Sequence, residues 1–308
     1  MTIHRIGFAY NPTNEAALDL RERAAGWCRM RKIDNWAAQA QDFDALCKEL
    51  PTTDVLVVLG GDGTFLRAAR AVIDVDVPLL GVNLGKIGFL SKVEANELEE
   101  VLTHLVAGEF TIDERMALEG RILPAGRVGG ATTYHALNDI VVARGALARV
   151  CRLDVAIGPS HLATFIADGL VVSSPTGSTG YSFSAGGPVV DPLSRNLIVT
   201  PIAGYLSAIR SVVVSPRQIV TCRVVDANEA LVSVDGREDI PIAVGDVVEV
   251  RALDRPIRLV EPKGAQPFWD LFRHKVELLP SCASGVCSRS PSPTWRSSIG
   301  CASSWHPA

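Results

Sequence analysis

An α/β domain built on a parallel sheet, followed by a mostly-β domain, is the fold class that three features of this 308-residue sequence predict. Apolar runs of strand length, DVLVVLG (54–60) and VPLLGVN (77–83), alternate with helix-period segments, as expected of strands covered on both faces by helices. Beyond about residue 110 the texture changes to short β-rich segments separated by Gly, Pro, Asp and Asn. Aromatic, helical character then returns in AQPFWDLFRHKV (265–276). The expected boundaries are 1–112 for the α/β domain and 113–264 for the β-rich one. Residues 265–280 are read as a segment returning to the first domain, and 281–308 as a Ser-, Pro- and Gly-rich disordered tail.

Taken in order, IHRIGFAY (3–10) reads as a strand ending in the turn-forming NPTN. Leu20, Ala24, Trp27 and Cys28 fall on one face at helical spacing. DVLVVLG is the next strand, TFLRAARAVI (64–73) the next helix and VPLLGVN another buried strand. Leu98, Val101, Leu102, Leu105 and Val106 mark an amphipathic helix, with Asn96 and Glu99 as a capping box and Gly108 as its stop. LNDIVVAR, RLDVAIG, GLVVSS, NLIVTPI, ALVSVDG and DVVEVRAL are the strands of the second domain. Leu153, Val155 and Ile157 alternate as on a half-buried strand.

Composition excludes several function classes. The formal net charge is −4 and the basic residues are scattered, which disfavours nucleic acid as a partner, because that binding rests on clustered phosphate contacts. No apolar run approaches the roughly 20 residues needed to span a bilayer, and the N-terminus lacks the pattern of a signal peptide, so a cytoplasmic location without membrane association is expected. Cys28, Cys47, Cys151 and Cys222 are isolated and read as reduced thiols. Cys282, Cys287 and Cys301 match no paired-ligand zinc spacing, with or without His306.

Chemistry concentrates in two places. VLVVLGGDGTFLRAAR (55–70) runs a buried strand into Gly60, Gly61 and Gly63, with Asp62 between them. Ligands of open α/β sheets bind at that end of a strand. Glycines there let backbone N–H groups cradle a phosphate, and the following helix offers its N-terminus to the same anion. The loop is neither a Walker A motif nor a Rossmann fingerprint. From the loop alone two roles for Asp62 stand level: cap of the helix that follows, or general base for a hydroxyl nucleophile. The second place is FIADGLVVSSPTGSTGYSFSAGGPVVDP (165–192), where hydroxylated residues sit among five glycines and three prolines. A polar loop that long is usually functional, and its side chains suit a ligand rich in hydroxyls and phosphates, with Tyr181 available to stack on a base.

GGDGTFLRAAR, GVNLGKIGFL, ALNDIVVARG and DGLVVSSPTGSTGYSFSAGGPVV together resemble the NAD kinase family over roughly residues 3–278. RIGFAYNPT and QPFWDLFRHK fit it too. The resemblance implies the family's two-domain fold and phosphoryl transfer from ATP, or another donor such as polyphosphate, to the 2′-hydroxyl of the adenosine ribose of NAD. It implies Mg²⁺ bound with the donor and a homodimer or homotetramer. It assigns Asp62 as the catalytic acid–base, and Gly61, Gly63 and Arg67 to the phosphates, an exposed helix charge being the other reading of Arg67. Asn138 and Asp139 match the family's Asn-Glu pair for the NAD ribose and base, the acid being one methylene shorter. Asp168, Thr179, Gly180, Tyr181 and Ser184 match further nucleotide-binding positions, with Gly180 in place of the commoner alanine. GYLSAIR (204–210) stands where many bacterial relatives carry Pro-His, and Asp235 of the SVDG turn is a weaker candidate. Two alternatives are kept: a lipid kinase of the diacylglycerol type, which shares the glycine loop, and a sensor that binds NAD or NADP without turnover.

Overall fold

The computed structural model describes residues 2–85, 88–126, 130–145, 150–205, 208–237 and 239–277. Expectations for the tail, including its cysteines, lie outside these residues, as does part of GYLSAIR. The described residues up to Phe268 form one compact unit, and those from Trp269 belong to a second.

The first unit opens as β1 (Arg5–Tyr10), α1 (Glu15–Met30), β2 (Asp34–Gln39), α2 (Phe43–Glu49), β3 (Val55–Leu59), α3 (Asp62–Val72), β4 (Leu79–Asn83), β5 (Val93–Glu94), α4 (Leu98–Ala107) and β6 (Phe110–Arg115). The strands β7 (Leu118–Leu123), β8 (Thr132–Ala136), β9 (Asp139–Arg144), β10 (Cys151–Ile157), β11 (Ser160–Ala167) and β12 (Gly169–Ser173) follow. After the short helix α5 (Tyr181–Ser184) come β13 (Leu197–Ile202), β14 (Val212–Val214), β15 (Val220–Asp226), β16 (Ala230–Val234), β17 (Asp239–Ile242), β18 (Val247–Ala252) and β19 (Ile257–Pro262). Helix α6 is Phe268–Glu277.

The first sheet has the order β2-β1-β3-β4-β19-β6, with β5 paired to β4. Its pairs are parallel except β19 with β6. The run Val55–Leu59 is fully buried because it has two covered faces: Leu56 and Val58 pack with Phe65, Ala68 and Ala69 of α3, while Val55, Val57 and Leu59 pack with Leu20, Ala24 and Trp27 of α1 and Leu98, Leu102 and Leu105 of α4. The expected α1 face is buried at all four positions. β19 lies within the span read as the second domain, yet it sits between β4 and β6 in this first sheet.

Two six-stranded sheets, β11-β10-β15-β18-β7-β8 and β14-β13-β12-β9-β16-β17, share one apolar core, to which Leu118, Leu153 and Val250 come from the former and Ile140, Leu170 and Val232 from the latter. Leu153 and Val155 face into it, as their alternation predicts.

Helix α4 departs from its expected start. Glu97, not Asn96, is the N-cap and no side chain caps the helix; the Glu97 carboxylate instead accepts from the N–H of Glu94 at 2.8 Å. Gly108 ends the helix in the left-handed region, at φ 76°, as a glycine C-cap does. Cys28, Cys151 and Cys222 are free and buried and Cys47 is free and exposed. No helix among the described residues is long and apolar enough to cross a membrane.

Candidate active site

The glycine loop forms where β3 ends against β4, the Gly60 N–H bonding to the Val82 carbonyl at 2.9 Å. Gly61 takes the N-cap position of α3, and the N–H groups of Thr64 and Phe65 reach back to its carbonyl. Asp62 is therefore the first helical residue and not the cap, and its side chain makes no bond to its own helix. Capping needs the carboxylate one position earlier, so that reading of Asp62 is set aside. Gly61, Gly63 and Arg67 are exposed. The first N–H groups of α3 have no partner within the helix, and the glycines leave them open to an anion.

The Asp62 carboxylate turns instead to the segment that follows β4. Oδ2 accepts from the N–H of Phe89 at 3.0 Å, and Oδ1 from those of Leu90 and Ser91 at 3.2 and 3.3 Å. The approach is so close that a Cβ at Gly88 would lie 1.9 Å from Oδ1. A carboxylate has about four acceptor positions. Two donors fill Oδ1, while Oδ2 keeps a lone pair for a hydroxyl outside the protein.

The second constellation is a corner made by three chain segments. Asp235, in the left-handed region at φ 50°, buries its carboxylate against the start of β9. Oδ1 accepts from the N–H groups of Asn138 and Asp139 at 2.7 and 3.2 Å, and Oδ2 from that of Leu137 at 3.0 Å, with the Arg237 guanidinium 3.4 Å away. The third segment is Ser174–Gly180. The Ser174 hydroxyl donates to the Leu137 carbonyl at 2.5 Å, its N–H to the Asn138 carbonyl at 2.8 Å, and it accepts from the N–H of Gly177. A Cβ at Gly177 would meet the Asn138 carbonyl oxygen at 2.1 Å, so only glycine fits. Gly180 lies beside the Asn138 amide and the Asp139 carboxylate.

Two polar atoms of the corner, Asn138 Oδ1 and Thr176 Oγ1, are buried without a hydrogen-bond partner. Native interiors rarely leave such atoms unpaired, so the corner holds two polar atoms available to a further partner. Burial, and then the Asp235 carboxylate beside it, push the Asp139 carboxyl up to about 7. A carboxyl raised that far can accept a hydrogen bond when ionised and donate one when protonated. Burial also pushes Asp235 up, against the three N–H donors and Arg237.

Other expected site residues are placed differently. Thr179 and Gly180 are half-buried at the corner, and Tyr181 and Ser184 are exposed on α5 just beyond it. Asp168 is not at the corner. Register pairs Ser173 with Asp139 but Gly169 with Ala143, so Asp168 lies beyond the far end of β12, about 13 Å or more away at ~3.3 Å per residue. There it makes a two-pronged ion pair with Arg144, at 2.7 and 3.3 Å. Several hydroxyls read as ligand-facing are engaged inside the protein: Ser173 donates to the Ser174 carbonyl, Ser178 to that of Val190, and Ser182 pairs with Thr200.

Leu137 ties the two constellations together. It belongs to the same buried cluster as Leu56, Phe65 and Leu90, although it directly precedes Asn138. Burying that side chain stabilises the junction by about 2 kcal/mol.

Comparison with known proteins identifies the chain's family. The family model described as the ATP-NAD kinase N-terminal domain matches residues 7–110, and that of the ATP-NAD kinase C-terminal domain matches 137–262. A protein named NAD kinase from Dehalococcoides mccartyi (strain BAV1) is 37% identical over 265 residues, which cover 86% of this chain and 93% of that one. One of the same name from Moorella thermoacetica is 44% identical over 231 residues, 75% of this chain and 73% of its own. Among solved structures, yeast NADH kinase complexed with NADH superposes with a TM-score of 0.76 at 25% identity, covering 94% of this chain and 91% of that one. An NAD kinase from Archaeoglobus fulgidus in complex with ATP superposes at 0.70, with 24% identity and coverage of 87% and 97%, a likeness of fold.

Proposed function

The chain belongs to the NAD kinase family, and on that premise we propose that it transfers the terminal phosphoryl group of ATP to the 2′-hydroxyl of the adenosine ribose of NAD, with Asp62 as the base. The observation that carries the role of Asp62 is its fixed carboxylate: three N–H groups hold it at the mouth of the glycine loop and leave a lone pair on Oδ2.

In this reading the Asn138–Asp139 corner orients the adenosine end of NAD. The side-chain oxygen Oδ1 of Asn138 and the Thr176 hydroxyl gain the partners they lack, and Asp139 bonds a ribose hydroxyl. Oδ2 of Asp62 takes the proton of the 2′-hydroxyl as that oxygen bonds to the phosphorus. The bond to the leaving ADP oxygen breaks in the same displacement. The N–H groups of the glycine loop and the first turn of α3 offset the charge on the transferred group, so the protein contributes chiefly position and electrostatics.

No group of three or more metal-ligating side chains exists among the described residues. Mg²⁺ usually keeps several waters and binds substrate phosphates, so it would be held chiefly by the donor phosphates, leaving the open lone pair of Asp62 Oδ2 to the hydroxyl. A bound ion would neutralise charge on the donor phosphates. A homo-oligomer located in the cytoplasm completes the proposal.

The test is NADP formation from NAD and Mg–ATP by wild type and Asp62→Asn, with and without EDTA. Turnover that needs the metal and falls at least about 10²-fold in the variant supports the assignment; an active Asp62→Asn removes Asp62 as base. Binding of NAD without turnover by the wild type would favour the sensor.

A further inference from the structure

The N–H groups that grip Asp62 belong to Phe89, Leu90 and Ser91, so the base is only as well placed as that short segment. Leu90 and Ser91 lie against Gly81 of β4, and the Ser91 hydroxyl is buried without a hydrogen-bond partner. The segment occupies a fork in the sheet. β4 pairs with β19 only at Leu79–Leu259, and further along it pairs with β5 at Val82–Val93. Between the diverging strands lies a small cavity lined by Leu79, Leu90, Lys92, Val93, Leu259 and Glu261 among others.

A largely but not fully buried ion pair spans this fork. Lys92 Nζ is 2.6 Å from Glu261 Oε1, with side chains 10% and 14% exposed. Arg115 of β6 backs Glu261 at 3.7 Å and bonds Asp113 at 3.0 Å. Two cations and two anions thus balance, and they tie Lys92 to the strands β19 and β6. Lys92 is the residue next to Ser91, so the anchor acts on the backbone that holds Asp62. Glu261 in turn is far from the glycine loop in sequence and close to the chain's last strand end.

We infer that Lys92 and Glu261 are positioning residues for phosphoryl transfer, which fix Asp62 through the backbone of Phe89–Ser91 and touch no substrate. The inference rests on the function proposed above. Removing Glu261's charge leaves Lys92 largely buried without its anion, and removing Lys92 leaves Glu261 only the longer contact with Arg115, so either change favours movement of the segment. Movement of residue 92 carries the three N–H donors with it. A displacement of about 1 Å at the reacting groups lowers rate by roughly 10²-fold.

The experiment measures kcat and the KM for NAD of Lys92→Met and Glu261→Gln, each with Asp62 intact and on the Asp62→Asn background, with a melting curve for every protein. With Asp62 present, kcat is expected to fall about 10- to 10²-fold while the KM for NAD stays within a factor of about two. On the Asp62→Asn background the same substitutions are expected to change kcat less than about twofold, because coupled residues are not additive. Equal losses on both backgrounds would show a general structural role and overturn the inference, as would full kcat in both variants. Glu261→Gln keeps the side-chain size, so it carries the test if Lys92→Met does not fold. Absence of turnover in the wild type would remove the proposed function and the inference with it, whereas an active wild type beside unaltered variants removes only the inference.

Discussion

Replacing Asp235 with asparagine separates the hydrogen bonds that shape the Asn138–Asp139 corner from everything else at that position. Asparagine tolerates the left-handed backbone of residue 235, and its volume is nearly that of aspartate, so neither strain nor a cavity is introduced. What changes is the acceptor set. If the remaining oxygen keeps the N–H groups of Asn138 and Asp139, the amide nitrogen faces the N–H of Leu137 and the Arg237 guanidinium, formerly served by Oδ2. One buried donor is stranded, at about 1–3 kcal/mol, and the two surviving bonds lose their charge assistance, which roughly halves each. Loss of a buried charge beside Asp139 offsets part of this, leaving about 2 kcal/mol. At roughly 2–4 °C per kcal/mol for a chain of this order of size, the melting temperature should fall by about 4–8 °C. If the corner relaxes by moving, Asn138 moves with it, and the KM for NAD should rise about tenfold or more with a smaller change in kcat, since 1.4 kcal/mol is tenfold in binding. Thermal melts and initial rates at varied NAD would measure both. An Asp235→Asn enzyme with wild-type melting temperature and wild-type KM would refute the claim that these bonds shape the site.

Three further outcomes are expected. Asp62→Asn should melt a few degrees below wild type as well as losing about 10²- to 10⁴-fold in kcat, because its amide would set an N–H against the donors of residues 89–91; an equally stable variant would contradict that grip. Asp139 lies well above its ordinary value of 3.8, at about 7, so the folded state holds an extra proton between those limits. Its contribution to stability is complete below about pH 4, is lost as pH rises from about 4 to 7 and is flat above; Asp139→Asn should remove that part of the slope in melting temperature between pH 5 and 8, and an unchanged slope would count against the shift. Gly177→Ala should disrupt NAD binding, since its Cβ would sit 2.1 Å from a backbone oxygen, whereas Gly180→Ala should stay within about twofold of wild type, its nearest neighbour being 3.2 Å away; similar effects at both positions would contradict the packing.

What could be read in the sequence follows from range. β3, β4 and the buried face of α1 were legible because their signals are local: a five-residue apolar run, or four apolar positions at helical spacing. β2 and α2 gave no such signal. Asp34–Gln39 is an edge strand with mixed exposure, and α2 buries only Leu46. The site was found through motifs, yet the motifs did not disclose its wiring. The grips on Asp62 and on the corner each join residues 27 or more positions apart, and neither spacing nor composition encodes them. For the same reason a cap stood level with a base as the reading of the loop carboxylate Asp62, and the serines of 173–182 read as suited to a ligand although Ser173, Ser174, Ser178 and Ser182 all bond inside the protein. The pairing of Lys92 with Glu261, 169 positions apart, had no sequence signal at all.

The place of β19 bears on how the chain reaches this state. β6 and β19 are neighbours from Phe110–Pro262 to Arg115–Ile257, so everything in residues 116–256 is threaded between two paired strands. During synthesis β6 emerges long before its partner, and until residue 257 arrives β6 and the start of β4, where β5 does not reach, show the next chain a bare edge, the condition that invites strand addition by strangers. The twelve strands of the double sheet, by contrast, lie in one uninterrupted stretch and can close on one another first. The β6–β19 contact, of long sequence separation, is accordingly expected to close late and slowly. A nascent chain stalled just short of residue 257 would therefore carry finished substrate-facing loops on an unsealed sheet, and such chains are the ones a chaperone should be found holding.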